Sequence, residues 1–226
     1  MFDGHLRSSV DKAVKPLGDG LRRTRMTPDH LTIAGMVIAI GAAVAIGAGQ
    51  LSLGLLLVIL AALPDLLDGA LAKASNTSSQ RGAFFDSVVD RVTDALLFGG
   101  VAWFFTNEHS PKTALIPLAV SAVSSVISYE RAKAESLGLS AKGGLMERAE
   151  RIILLCLGLL FPVLLLPIMW IMLALTAVTA VQRFVKVWRQ AAVAPVTAAR
   201  IEQRRSRRQS RRSERLGRRT RESRLR

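Results

Sequence analysis

Asp65, Asp68, Asp86 and Asp90 stand close together in one of the most apolar parts of the chain. On helices, Asp65 and Asp68, three apart, share a face, and so do Asp86 and Asp90, four apart. A short polar run, Ser75-Asn76-Thr77-Ser78-Ser79, joins the two segments. They are therefore expected to be neighbours whose carboxylate pairs converge. Four carboxylates against apolar walls repel one another and cost heavily to desolvate. Two divalent cations relieve both problems. Oxygen-only ligands suit Mg²⁺ first and Mn²⁺ second, rather than a structural zinc. Two such ions sharing carboxylates sit about 4 Å apart, the geometry of phosphoryl chemistry. Helix–helix salt bridging is the rival reading, with Arg91 beside Asp90 and Lys73 near Asp68. It satisfies one or two carboxylates, not four. Gly69 and Gly82 lie beside the aspartates, where a bare backbone lets a ligand come close.

The elements that must hold these residues follow from the apolar pattern. The chain has 226 residues, 50% of them hydrophobic, and a net charge of +14. Its apolar residues come in blocks of about twenty, the length that crosses a bilayer as helix. The expected fold is all-α, a polytopic membrane protein with six transmembrane helices near 31–49, 51–72, 84–105, 112–130, 152–166 and 167–187. The last two are separated by the Pro162 to Pro167 region, where one long kinked helix would far exceed a bilayer. Frequent Ala, Gly and Ser in these blocks suit close helix packing in lipid. Residues 1–26 carry Phe2, Leu6, Val10, Val14 and Leu17 at helical spacing among Lys and Arg. That pattern reads as an amphipathic surface helix, and Thr27-Pro28-Asp29 as the start of the next one. The domain organisation is thus a juxtamembrane helix (1–26), a six-helix membrane domain (27–190) and an Arg-rich tail (191–226).

Charge sets the expected orientation. The turns at 49–51 and 166–168 hold no Lys or Arg, and 106–112 holds only Lys112, while the other side carries the remaining basic loops. The positive-inside rule then places both termini, and the aspartates, on the cytoplasmic side of a multi-pass plasma-membrane protein. From residue 200 onward there are thirteen Arg against three Glu. Such a segment reads as a disordered or loosely surface-bound tail on anionic lipid. Nucleic acid is not the expected partner, because no stacking aromatics are interleaved. The single cysteine, Cys156, lies inside an apolar block and reads as a small core residue. His5, His30 and His109 are scattered, so no His/Cys metal cluster is expected. No cleaved signal peptide is expected at the polar, basic N-terminus.

The run Asp65-x2-Asp68-Gly69-x2-Ala72-Lys73-x8-Gly82-x3-Asp86-x3-Asp90 resembles the signature of the CDP-alcohol phosphotransferases, D-x2-D-G-x2-A-R-x8-G-x3-D-x3-D. Every fixed position agrees except one: Lys73 stands where the family has Arg, which keeps a cation but loses the bidentate fork. The resemblance implies a six-helix enzyme with an N-terminal surface helix, over most of residues 1–190. It implies that Asp65, Asp68, Asp86 and Asp90 hold the metals and that Asp90 is the catalytic base. It further implies that CDP-diacylglycerol is bound by Asp29, His30, Leu31 and Thr32 and by Asp68, Gly69, Ala72, Lys73, Ser79 and Gly82. An alcohol would attack the lipid-bearing phosphorus, and CMP would leave.

The acceptor alcohol is read from the remaining basic residues. Arg131, Arg151 and Arg183 fall at the expected cytoplasmic ends of spans four, five and six. Cations at membrane depth need a partner, and three of them beside a metal pocket point to an anionic acceptor such as a phosphorylated alcohol. Snorkelling to lipid phosphates competes for Lys133, Lys142 and Lys186. The stretches Ser128–Glu135, Gly143–Arg151 and Val181-Gln182-Arg183 are similar to motifs of one family branch, the actinobacterial phosphatidylinositol phosphate synthases. In that branch the order of Lys and Arg at positions 131 and 133 is the reverse of the one here. This likeness implies inositol 1-phosphate as acceptor, held by Arg131, Arg151 and Arg183 with Lys133 and Arg148 close by. Glycerol 3-phosphate, giving phosphatidylglycerol phosphate, is the nearest alternative, since it too is anionic. A divalent-cation transporter is the alternative from another class. It would spread acids along a path across the membrane, whereas here they gather near one face. The resemblance also implies a homodimer, supported by small residues in spans three and four.

Overall fold

The computed structural model describes residues 28–75, 80–141 and 143–192, with side chains described over 29–63, 80–141 and 143–192. The expected N-terminal surface helix, Ser79, nearly all of the arginine tail, and the side chains of Asp65, Asp68, Gly69, Ala72 and Lys73 lie outside the described residues. Among the described residues the structure is all helix: α1 (Pro28–Gly47), α2 (Leu51–Ser75), α3 (Gln80–Glu108), α4 (Leu115–Ser136), α5 (Arg148–Leu160) and α6 (Pro162–Ala191).

Helix α1 packs on both α2 and α3, α3 on α4, α4 and α5 on α6, and α2 on α5. The contacts explain why the sequence keeps small residues. Lipid tails are as apolar as leucine, so helices associate in a bilayer by close packing rather than by escape from water. On α1, Ala39, Ala42 and Ile46 are fully buried. Gly100 of α3 meets this face so closely that a Cβ there would lie 2.5 Å from the Ala43 carbonyl oxygen. The core continues through Leu97, Phe98, Val101 and Phe105 of α3, Val120 of α4, Leu155 and Leu159 of α5, and Leu165, Met169 and Met172 of α6.

The outward faces are also apolar: Val37, Leu56, Leu118, Ile153, Val163 and Ile171 are exposed. That is the pattern of a bundle solvated by lipid. By length and composition, α1 and α6 can each cross a membrane, and Leu51–Leu63 of α2 is a shorter apolar stretch.

The break between the last two helices differs from the sequence expectation. It falls at Phe161, with φ −120° and ψ 85°, and not at 166–167. Pro162 sits in the first turn of α6, where its missing N–H and fixed φ cost nothing, and Pro167 is carried inside the helix. α5 and α6 are thus two helices packed on each other rather than one kinked rod. With 13 residues, α5 is about 20 Å long at 1.5 Å per residue.

Candidate active site at the α3–α5 seam

Helix α3 carries the second aspartate pair, Asp86 and Asp90, half-buried on one face. The same four-residue step continues to Asp94, which is 3% exposed. Across the seam stands the first turn of α5. Arg148 Nη1 donates to Asp90 Oδ1 at 2.8 Å, and its Nε to Asp94 Oδ1 at 3.4 Å. Arg151 Nη2 donates to Asp94 Oδ2 at 2.6 Å. Arg91 adds a weaker contact to Asp90 Oδ2 at 3.5 Å and also donates to the Ser128 hydroxyl on α4. Asp90 therefore lies between guanidinium groups of its own helix and of α5.

A capping box sets the position of α5. The Glu147 side chain accepts from the Glu150 backbone N–H, and the Glu147 backbone N–H donates to Glu150 Oε2 at 3.0 Å. These bonds satisfy helix-end donors that have no intrahelical partner. Glu147 has a second task, because Arg183 Nη2 of α6 donates to its Oε1 at 3.0 Å. Arg183, 4% exposed, also gives Nε to the Gly143 carbonyl at 2.9 Å.

The loop before α5 is held by the same neighbours. Gly143 and Gly144 have φ of 91° and 155°, values that disfavour any other residue. A Cβ on Gly144 would lie 2.5 Å from Thr179 Cγ2, and Thr179 Oγ1 accepts the Met146 N–H at 3.0 Å. Against this loop lies a pocket of about 240 Å³ lined by Gly143, Gly144, Gln182, Arg183 and Lys186. Through Glu147 and its chain neighbour Arg148, the pocket's arginine is connected to Asp90.

Of the basic residues singled out from the sequence, the structure brings Arg148 and Arg151 onto the α3 carboxylates and Arg183 to the pocket. Arg131 and Lys133 are exposed on α4, with Arg131 Nε on Glu135 Oε1 at 3.1 Å. On α1, Asp29 lies in the first turn and Thr32 is buried, with His30 exposed and Leu31 half-buried. Gly82 is half-buried in the first turn of α3. Asp65, Asp68, Gly69, Ala72 and Lys73 occupy the C-terminal part of α2. Sequence reasoning missed Asp94 and the Glu147–Arg183 pair. The first could have been found by extending the step of four from Asp86 and Asp90. The second links residues 36 apart, and no local pattern signals it.

The donor set suits a hard divalent cation. Among the described residues no three acidic, His or Cys side chains group as a complete metal site, so Asp86 and Asp90 would need the α2 aspartates to complete one. Both are carboxylates one turn apart, and Asp90 is charge-compensated in this structure by Arg148 and Arg91. Oxygen-only donors fit Mg²⁺ or Mn²⁺.

Known proteins resemble this chain in sequence and fold. The Mycobacterium marinum phosphatidylinositol phosphate synthase is 33% identical over 192 residues, 80% of this chain and 82% of that one. A crystal structure of the Mycobacterium tuberculosis phosphatidylinositol phosphate synthase with CDP-DAG bound superposes with a TM-score of 0.72 at 33% identity, covering 78% of this chain and 94% of that one. Another structure of the same M. tuberculosis protein, in complex with manganese and citrate, gives a TM-score of 0.72 at 32% identity, covering 77% and 88%. Residues 25–192, from just before α1 to just after α6, match the CDP-alcohol phosphatidyltransferase family as a whole. The aspartate signature and the helices that carry it thus have one explanation: the chain belongs to the CDP-alcohol phosphatidyltransferase family.

Proposed function

We propose that this enzyme transfers the phosphatidyl group of CDP-diacylglycerol to L-myo-inositol 1-phosphate, giving phosphatidylinositol phosphate and CMP. The observation that carries the acceptor is the Asp90–Arg148 ion pair at 2.8 Å. It joins the acidic helix α3, to which this reading assigns the phosphoryl chemistry, to the Arg148 and Arg151 end of α5, suited to a phosphorylated alcohol. The relatives that share the fold and the signature, named phosphatidylinositol phosphate synthases, support the same reading.

In this reading Asp90 accepts the proton of the attacking inositol hydroxyl, the new O–P bond forms at the lipid-bearing phosphorus, and the bond to CMP breaks. Asp65, Asp68, Asp86 and Asp90 would hold two divalent cations, Mg²⁺ or Mn²⁺, which when bound offset charge on the phosphoryl oxygens and help the leaving phosphate depart. Asp29, His30, Leu31, Thr32, Asp68, Gly69, Ala72, Lys73, Ser79 and Gly82 would bind the nucleotide end of the lipid. The acceptor phosphate would be bound by Arg131, Lys133, Arg148, Arg151 and Arg183. Bidentate guanidinium–phosphate contacts orient as well as attract, an interaction that a neutral alcohol does not offer.

The proposed setting is a multi-pass plasma-membrane homodimer with six spans and with both termini and the site in the cytoplasm. Apolar outward faces support the membrane placement, and the charge of the loops supports the orientation. Product identification tests the reaction: purified protein, Mg²⁺ and CDP-diacylglycerol are given inositol 1-phosphate or glycerol 3-phosphate. Phosphatidylinositol phosphate is the expected product. Consumption of glycerol 3-phosphate with inositol 1-phosphate untouched would replace the assignment by its sister reaction.

A further inference from the structure

Asp94 lies outside the aspartate signature, and the reaction described above gives it no task. It is nonetheless buried, at 3% exposed, and takes two guanidinium groups from the first turn of α5. The two contacts differ in kind. Arg151, itself 3% exposed, meets Asp94 Oδ2 through Nη2 at 2.6 Å. Arg148 meets Asp94 Oδ1 through Nε at 3.4 Å, while its Nη1 reaches Asp90 Oδ1. One guanidinium therefore bridges two carboxylates a helical turn apart, its Nε edge turned to Asp94 and its Nη end in the closer contact with Asp90.

We infer that Asp94 is a positioning residue for the acceptor: its buried carboxylate fixes Arg148 and Arg151 so that the Nη end of Arg148 stands beside Asp90, where the phosphorylated alcohol must bring its hydroxyl. The inference rests on the anionic-acceptor reading above. The physical reason is preorganisation. Arg is a long side chain with much rotamer freedom, and a cation already held in its binding geometry loses less on capturing a ligand. A buried acid is the effective anchor, because an ion pair shielded from water is neither screened nor easily exchanged. Anchoring α5 to α3 also fixes the height of Glu147, and with it the Arg183 contact at the pocket.

Steady-state kinetics of purified Asp94→Asn and Asp94→Glu, with CDP-diacylglycerol and inositol 1-phosphate each varied, test this. Asp94→Asn should raise the acceptor KM about ten- to hundredfold, the weight of a charge-assisted hydrogen bond. The KM for CDP-diacylglycerol should stay within about twofold, and Asp94→Glu should recover part of the loss, as expected for a role set by charge. An unchanged acceptor KM in a folded variant would overturn the proposal. So would an equal rise in both KM values, the mark of general loosening. If Asp94→Asn fails to fold because Arg151 is left unpaired, Asp94→Glu decides alone, with a severalfold rise in the acceptor KM only as the supporting result. Should the wild-type protein use only glycerol 3-phosphate, the acceptor assignment fails by itself. The same KM ratio, measured with glycerol 3-phosphate, still tests Asp94.

Discussion

Two arginine–carboxylate pairs in this protein look alike on paper. Arg151 meets Asp94 at 2.6 Å and Arg131 meets Glu135 at 3.1 Å, but the side chains of the first pair are 3% and 5% exposed and those of the second 53% and 51%. The first joins α3 to α5, and the second spans one turn of α4. An exposed i,i+4 pair competes with water and salt and contributes little. A buried pair is different: its net worth against an apolar replacement can be small, yet breaking it leaves a charge without a partner in a medium that cannot solvate it. What separates them is the environment supplied by the rest of the bundle. The residue chemistry and the separations are similar. The Asp90 side chain lies between these extremes at 19% exposed, sheltered enough to hold a defined geometry and still open to solvent.

This contrast can be broken by substitution. The largest effect is expected at Asp90, the carboxylate of intermediate exposure. Asp90→Asn should lower product formation about 10²- to 10⁴-fold, the usual weight of a general base, in protein that still folds. Retention of near wild-type turnover in a detergent assay would remove Asp90 from that role. Next comes the buried pair. Arg151→Ala removes the 2.6 Å partner of Asp94 and leaves it only the longer Arg148 contact at 3.4 Å, and should destabilise the bundle toward the lower end of about 3–5 kcal/mol, read as a lowered thermal unfolding midpoint in detergent. A shift no larger than that of a surface variant would erase the distinction drawn here.

The loop that links pocket to seam should respond less. Gly144→Ala puts a methyl 2.5 Å from Thr179 Cγ2 at a φ of 155°, and should cost about 1–3 kcal/mol in the same unfolding measurement. A neutral result would mean that the loop shifts away from α6 freely. At the bottom of the scale, Glu135→Gln should change stability by no more than about 0.5 kcal/mol. A larger drop would show that Arg131 is held more firmly than its exposure implies.

Much of the architecture was legible from short-range pattern. Six helical segments could be read from the lengths of the apolar blocks, and the described residues between Pro28 and Ala191 form six helices. The face shared by Asp86 and Asp90 follows from a spacing of four, which holds on any helix. The α5–α6 break was misplaced because the sequence offers two prolines, Pro162 and Pro167, and helix physics tolerates one of them at a first turn and the other inside a packed helix. The place of Asp94 was missed because an aspartate in an apolar helix carries no local mark of whether a cation will reach it.

The sequence by itself determined the helices, the composition of their lipid-facing and packed surfaces, and the set of carboxylates that share a face of α3. Each depends on covalent spacing and on solvent preference, which act residue by residue. Only the tertiary structure decided that Arg148 and Arg151, rather than Arg131, would stand against those carboxylates. Arg151 is 57 residues from Asp94 in the chain. Their meeting depends on how α5, set by the Glu147 capping box and by its packing on α6, comes to rest beside α3.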